Sequence, residues 1–161
     1  MYEKLSSFDI ILIVGNYGAG KSYIAKTYFS DRKRINRLEI RQMLKLMTEH
    51  GAKWDPNEWD EDIEGLIKHI EYDIICHFLE RDQRIIIDNT SLTKKSRKRY
   101  VEYAAHYKKS IACIFLDRDI NYLLEQNKKR GSPIPEHIIV NLYSKTEPVT
   151  LDEGFNIVVI G

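Results

Sequence analysis

Asp9 to Ser22 reads Asp-Ile-Ile-Leu-Ile-Val-Gly-Asn-Tyr-Gly-Ala-Gly-Lys-Ser (DIILIVGNYGAGKS), and this run decides the fold. Asp9 to Val14 is continuous, apolar and rich in β-branched residues, as expected of a central strand covered on both faces. Gly15-Asn16-Tyr17-Gly18-Ala19-Gly20-Lys21-Ser22 follows and fits the pattern GxxxxGK[ST]. Lys21 to Phe29 then predicts a helix. Glycines let the backbone curl so that successive N–H groups converge on phosphate oxygens, and the helix N-terminus adds partial positive charge. In such a cradle Lys21 reaches the β- and γ-phosphates and the Ser22 hydroxyl ligates Mg²⁺, with Tyr23 closing the nucleotide-binding run. The competing reading is a chance match in a glycine-rich turn, against which the flanking strand and helix argue.

Working outward, short apolar runs alternate with helical periods, the signature of a parallel α/β sheet. A short strand is expected around Arg34 to Asn36, followed by a helical recurrence of Ile40, Met43, Leu44 and Met47. Glu58 to Glu80 is the longest helical pattern, with Ile63, Leu66, Ile67, Ile70 and Ile74 on one stripe. Arg84 to Asp88 and Ser110 to Leu116 read as buried strands, with a helix from about Thr93 to Tyr107 between them. A helix carrying Ile120, Leu123, Leu124 and Asn127 stops at Gly131. Pro135 suits the first turn of the next helix, with Ile138, Ile139, Leu142 and Tyr143 inward. Phe155 to Ile160 gives the last strand, for a total of about five parallel strands and six helices.

Composition sets the outer limits. The 161 residues suit one domain, 1–161, with enough chain to bury a core. The 25 Lys and Arg against 24 Asp and Glu exclude a uniformly basic or acidic protein, so any electrostatic role depends on charge placement. No apolar run approaches the roughly 20 residues needed to span a bilayer, and no signal peptide is evident; a cytoplasmic protein without a membrane partner is expected. Cys76 and Cys113 read as reduced core thiols. The five histidines, His50, His69, His77, His106 and His137, form no metal-ligand cluster in the sequence.

Asp88 ends its strand and is followed by Asn89-Thr90. A carboxylate at the carboxyl end of a strand beside the phosphate loop is where a metal's second anchor belongs. Capping of the next helix is the alternative, a task for which Ser91 and Thr93 also qualify.

Gly15 to Ser22, Ile35-Asn36-Arg37-Leu38-Glu39-Ile40-Arg41, Asp88 to Leu92, Lys129-Arg130-Gly131 with Ile134-Pro135-Glu136, and Pro148 to Phe155 come in one order over nearly the whole chain. Together they resemble the polynucleotide kinase branch of P-loop phosphotransferases, the phage and bacterial 5′-hydroxyl kinases. The resemblance implies a three-layer α/β P-loop NTPase fold with a small helical lid. It also implies ATP and Mg²⁺ as cofactors and a nucleic-acid 5′ end as acceptor. Phosphatase or ligase modules are not expected within the chain.

That family carries an Asp-x-x-Arg pair after its second strand, the Asp taking the hydroxyl proton and the Arg gripping the acceptor phosphate. Arg41 matches the Arg, while Leu38 falls on the Asp position. Glu39 is adjacent, but on a helix it points about 100° away from Leu38; it is the candidate base by default. Arg130 matches a lid arginine that clamps the transferring phosphates, or else is a solvated cation at a helix C-terminus. Gln126 stands where a second lid arginine often occurs.

Lys94-Lys95-Ser96-Arg97-Lys98-Arg99 puts five cations near a helix start, where the dipole repels them. Arg32, Lys33, Arg34, Arg37 and Arg41 form a second basic group and Lys128 to Arg130 a third, while acid gathers at Asp55, Glu58, Asp60, Glu61, Asp62 and Glu64. A phosphate track and an ordinary solvated helix face both fit these runs. Tyr17, Tyr23, Tyr28, Trp54 and Trp59 are candidates for stacking on a base. The rival functions are a small-molecule kinase acting on a nucleoside, sugar or nucleotide-sugar hydroxyl, and a catalytically impaired nucleotide-dependent binding module. DNA versus RNA and the oligomeric state are left open by the sequence.

Overall fold

The computed structural model describes residues 1–49 and 52–161, which leaves His50 outside the described residues. Strands β1 (Ile10–Val14), β2 (Lys33–Ile35), β3 (Ile85–Asp88), β4 (Ile111–Phe115) and β5 (Ile157–Ile160) form one parallel sheet in the order β2-β3-β1-β4-β5. The helices are α1 (Lys21–Tyr28), α2 (Arg37–Thr48), α3 (Glu61–Leu79), α4 (Lys94–His106), α5 (Ile120–Lys128) and α6 (Glu136–Ser144). This is the three-layer α/β arrangement expected from the sequence.

Every β1 residue is buried, and alternate side chains feed two cores. Ile10, Leu12 and Val14 join Ile85, Ile87 and Cys113 against Ile75 and Leu79 of α3 and Tyr100 of α4. Ile11 and Ile13 join Ile86 and Ile114 against Ile24 of α1, Leu123 of α5 and Ile139 of α6. Both cysteines are free and buried, and burial pushes the Cys113 thiol up to about 12. The β1–β3 register sets Ile13 opposite Asp88, so that carboxylate lies beside the mouth of the glycine loop.

Three helices differ from their apolar patterns; on α6 the difference is Tyr143, which is exposed. Helix α3 starts at Glu61 because the Asp60 side chain accepts from the N–H groups of Asp62 and Ile63. Its buried face is Glu64, Ile67, Glu71, Ile75 and Leu79, whereas Ile63 and Leu66 are exposed. The face is rotated because two of its inward positions are carboxylates that meet arginines of α2. On α2 the buried residues are Ile40 and Arg41, while Met43 and Met47 are exposed.

Helix α4 is capped by Thr93, which accepts from Ser96 N–H in a reciprocal capping box. Asp88 therefore has no capping task. The basic run on α4 is also divided: Arg97 is fully buried, with Nε and Nη2 on Glu153 and further bonds to the carbonyls of Ser91, Glu147 and Pro148. It fastens the 147–153 segment to α4 and cannot belong to a surface track.

Candidate nucleotide and acceptor site

The loop between β1 and α1 is shaped by its own atoms. Gly18 and Gly20 have φ of 83° and 98°, the left-handed region where a Cβ is strained. A side chain at Gly18 would also come within 2.7 Å of the Leu123 carbonyl. Gly15 N–H donates to Thr90 O at 3.0 Å, tying the loop to the segment after β3. The Asn16 amide reaches Ile139 O of α6 at 2.9 Å, and Lys21 Nζ lies over the loop with a bond to Asn16 O at 2.9 Å. Burial pulls the Lys21 ammonium down to about 8, with Asp88 opposing the shift and Arg130 adding to it.

Ser22 Oγ donates to Asp88 Oδ2 at 2.8 Å, which joins the two candidate metal residues directly. Asp88 Oδ1 is buried and has no hydrogen-bond partner among the described residues. One hydroxyl and one carboxylate, the latter with an oxygen that lacks a partner, make an oxygen set that suits Mg²⁺, either directly or through water. Arg34 lies against the same atoms: its Nε and Nη2 are 2.8 and 2.6 Å from Asp88 Oδ2, and Nη2 is 3.3 Å from Ser22 Oγ. Its Nη1 bonds Glu39 at 2.5 Å.

These groups open into a cavity of about 440 Å³. Its lining combines Tyr17, Lys21, Ser22, Asp88 and Arg130 with Leu38, Arg41, Trp59, Glu64 and Lys68. Tyr17 is near members of both groups. Lys21 Nζ and the Arg130 guanidinium sit over its ring at 5.8 and 6.0 Å. Burial raises its phenol pKa, an effect partly offset by the charges of Arg41 and Arg130 and reinforced by Glu64. A second cavity of about 230 Å³ adjoins Asn16 and is lined by Phe115, Leu116, Arg118, Tyr143 and Pro148.

Among the predicted site residues, the cavity thus brings Tyr17, Lys21, Ser22, Asp88, Arg41 and Arg130 together, with Leu38 facing the same space. Glu39 does not line it: its side chain is 63% exposed and paired with Arg34. Tyr23 is also outside, exposed and edge-on to Tyr28. Gln126 packs beside Gly18.

The basic group on β2 and α2 differs from a phosphate track because its arginines already have partners. Arg32 is bound to the carbonyls of Leu5, Ser6, Asp9 and Ile85, Arg34 to Asp88, Arg37 to Glu71 and Arg41 to Glu64. Sequence reading gave Glu64 only as part of an acidic run and missed Glu71. Glu71 is 1% exposed and accepts from Arg37, Asn89 and Tyr100. Their signal was present: cations one turn apart at 37 and 41, then carboxylates two turns apart at 64 and 71, ready to pair across antiparallel helices. Arg41 is also flanked by Trp54 and Trp59, whose ring centroids lie 5.3 and 5.4 Å from its guanidinium.

A buried strand, a glycine loop leading into a helix, and a carboxylate at the end of the neighbouring strand define an α/β P-loop kinase-like fold. Residues 10–147 match the AAA domain family, and the chain belongs to it. It is 26% identical over 136 residues to the L-seryl-tRNA(Sec) kinase of Methanococcus maripaludis, an alignment covering 84% of this chain and 51% of that protein. The chain thus spans about half the length of this curated relative. Among solved structures, a sugar kinase from Janibacter sp. HTCC2649 superposes with a TM-score of 0.61 at 15% identity, covering 95% of this chain and 85% of that one. A chain of the Pnkp1/Rnl/Hen1 complex gives 0.56 at 24% identity, covering 73% and 38%. At these identities the structural likenesses show the fold alone. Among the described residues, no helix is long and apolar enough to cross a membrane.

Proposed function

We propose that the chain is an ATP- and Mg²⁺-dependent kinase that transfers the γ-phosphoryl group to the 5′-hydroxyl end of a polynucleotide. The observation that carries this reading is one cavity lined by Tyr17, Lys21, Ser22, Asp88 and Arg130 together with Arg41 and Trp59. Phosphoryl transfer depends mainly on positioning and charge neutralisation, so the roles follow from placement. Lys21 and Arg130 neutralise the transferring group, and Ser22 and Asp88 would hold Mg²⁺, which would supply further positive charge against the developing negative charge. Arg41 spends Nε and Nη2 on Glu64, which leaves Nη1 for an acceptor phosphate. Trp59, 54% exposed at the rim, offers a stacking face for a terminal base. The smaller cavity beside Asn16 takes the base of the nucleotide, between Arg118, whose buried Nε has no partner among the described residues, and Pro148. The resemblance to an L-seryl-tRNA(Sec) kinase supports an acceptor hydroxyl attached to nucleic acid.

A second reading, a small-molecule hydroxyl kinase, is favoured by the internal pairing of Arg32, Arg34, Arg37, Arg41 and Arg97. That pairing withdraws five arginines from any phosphate track. The test offers γ-labelled ATP with 5′-hydroxyl DNA, 5′-hydroxyl RNA and a metabolite panel, comparing the native chain with Lys21→Ala. Labelled oligonucleotide whose binding weakens steeply with salt is expected. Labelling confined to a metabolite, with no salt dependence, refutes the polynucleotide reading.

A further inference from the structure

We propose that Glu64, carried on α3, is the carboxylate that accepts the proton of the attacking hydroxyl, an inference that rests on the kinase reading above. Position 38 faces the cavity but holds Leu38, and Glu39 turns outward to Arg34. Among the described residues lining the cavity, the carboxylates are Glu64 and Asp88. Asp88 is committed to Ser22 and the metal position. Glu71 does not line the cavity, and both its oxygens are consumed by four hydrogen bonds. Glu64 is the one left facing the space an acceptor must enter.

Its position is fixed from two directions. The Asp60 carbonyl holds Glu64 N–H at 2.9 Å in the first turn of α3, where the helix dipole favours a negative side chain. Arg41 grips both carboxylate oxygens, Nε on Oε1 at 2.5 Å and Nη2 on Oε2 at 2.8 Å. Each oxygen keeps a second lone pair, so a paired carboxylate can still accept an O–H. Arg41 and Trp59 thus hold the acceptor and the acceptor's base in one unit, in the cavity that Lys21 and Arg130 also line.

The chemistry balances without a further reagent. As the acceptor oxygen forms its bond to Pγ of the nucleoside triphosphate, the bond from Pγ to the β–γ bridging oxygen breaks. Its electron pair leaves with the diphosphate, and the hydroxyl proton passes to Glu64, which returns it to water after product leaves. A general base is called on only late where bond breaking to the leaving group runs ahead of proton transfer.

The test compares native chain, Glu64→Gln, Glu64→Asp and the double variant Glu64→Gln/Leu38→Asp, with folding followed by thermal melting and nucleotide binding by calorimetry. Glu64→Gln is expected to lower kcat by about 10²–10⁴-fold while leaving ATP affinity unchanged. Glu64→Asp, which keeps the charge and withdraws it by one methylene, lowers kcat with little change in melting. Adding Leu38→Asp to Glu64→Gln restores kcat at least ~10-fold, and the acid limb of the native pH–rate profile disappears in Glu64→Gln alone. A merely structural Glu64 would raise the acceptor KM, keep kcat, and gain nothing from Leu38→Asp; that result overturns the proposal. A native chain that labels no acceptor overturns the kinase reading along with it, whereas an active native chain with unchanged kcat in Glu64→Gln overturns this inference alone.

Discussion

Replacing Glu71 by Leu should be among the most damaging single changes to the stability of this protein. The carboxylate is buried and accepts from Arg37 Nε at 2.6 Å and Nη2 at 3.0 Å, Asn89 Nδ2 at 2.9 Å and Tyr100 Oη at 2.9 Å. Burial, then the Glu71 charge, drives the Tyr100 phenol far above its ordinary range, so it remains a donor at any working pH. Leu fills similar volume but strands Arg37, whose side chain is only 17% exposed. Breaking a buried pair from one side costs about 3–5 kcal/mol, because the remaining charge stays desolvated. In a chain of this size each kcal/mol moves the melting point by about 2–4 °C, so calorimetry should show a drop of about 6–20 °C. Arg37→Met in the same chain removes the stranded charge and should recover at least half of the loss. A drop below ~2 °C, or a double variant no more stable than Glu71→Leu, would refute the view that this pairing holds α2 and α3 together.

Three further outcomes follow from named geometry. Burial lowers the Lys21 ammonium from the ordinary lysine value of 10.5 to about 8, so between those values the unfolded chain binds the extra proton and native stability climbs with pH. Measured without nucleotide or metal, Lys21→Met should be more stable than the native chain at pH 7, with the gap closing toward pH 10.5; a pH-independent gap would contradict this. Arg34→Met frees Asp88 Oδ2 of its guanidinium and should tighten Mn²⁺ binding in an electron paramagnetic resonance titration, and weaker binding would show that Arg34 does not compete for the site. Gly154 has φ of 111°, and a Cβ there would lie 2.5 Å from Val101 Cγ1. Gly154→Ala should therefore cost about 1–3 kcal/mol in urea unfolding while nucleotide affinity holds, and an unchanged midpoint would rule out strain there.

The glycine-loop half of the candidate site was legible because it is local in sequence. Gly15 to Ser22 is one contiguous run whose glycines and flanking strand carry their meaning with them, and Asp88 follows a plain β-branched strand. The acceptor half was not, because it is built by side chains 23 and 34 positions apart, Arg41 with Glu64 and Arg37 with Glu71. Hydrophobic periodicity follows apolar residues, so it placed Ile63 and Leu66 inward and passed over the buried Glu64 and Glu71. The basic runs misled for the same reason: a count of cations records charge, but Arg97 and Arg32 are buried by partners the count cannot see.

Asn127 has a consequence for movement. Its side chain is 1% exposed and clasps Ile134 twice, Nδ2 to the carbonyl at 2.7 Å and Oδ1 to the amide at 2.9 Å. The stretch bearing Arg130 is thereby a small ring stapled at its base. A swivel of that arginine toward an incoming anion is confined to a few backbone torsions, and neither α5 nor α6 has to travel with it.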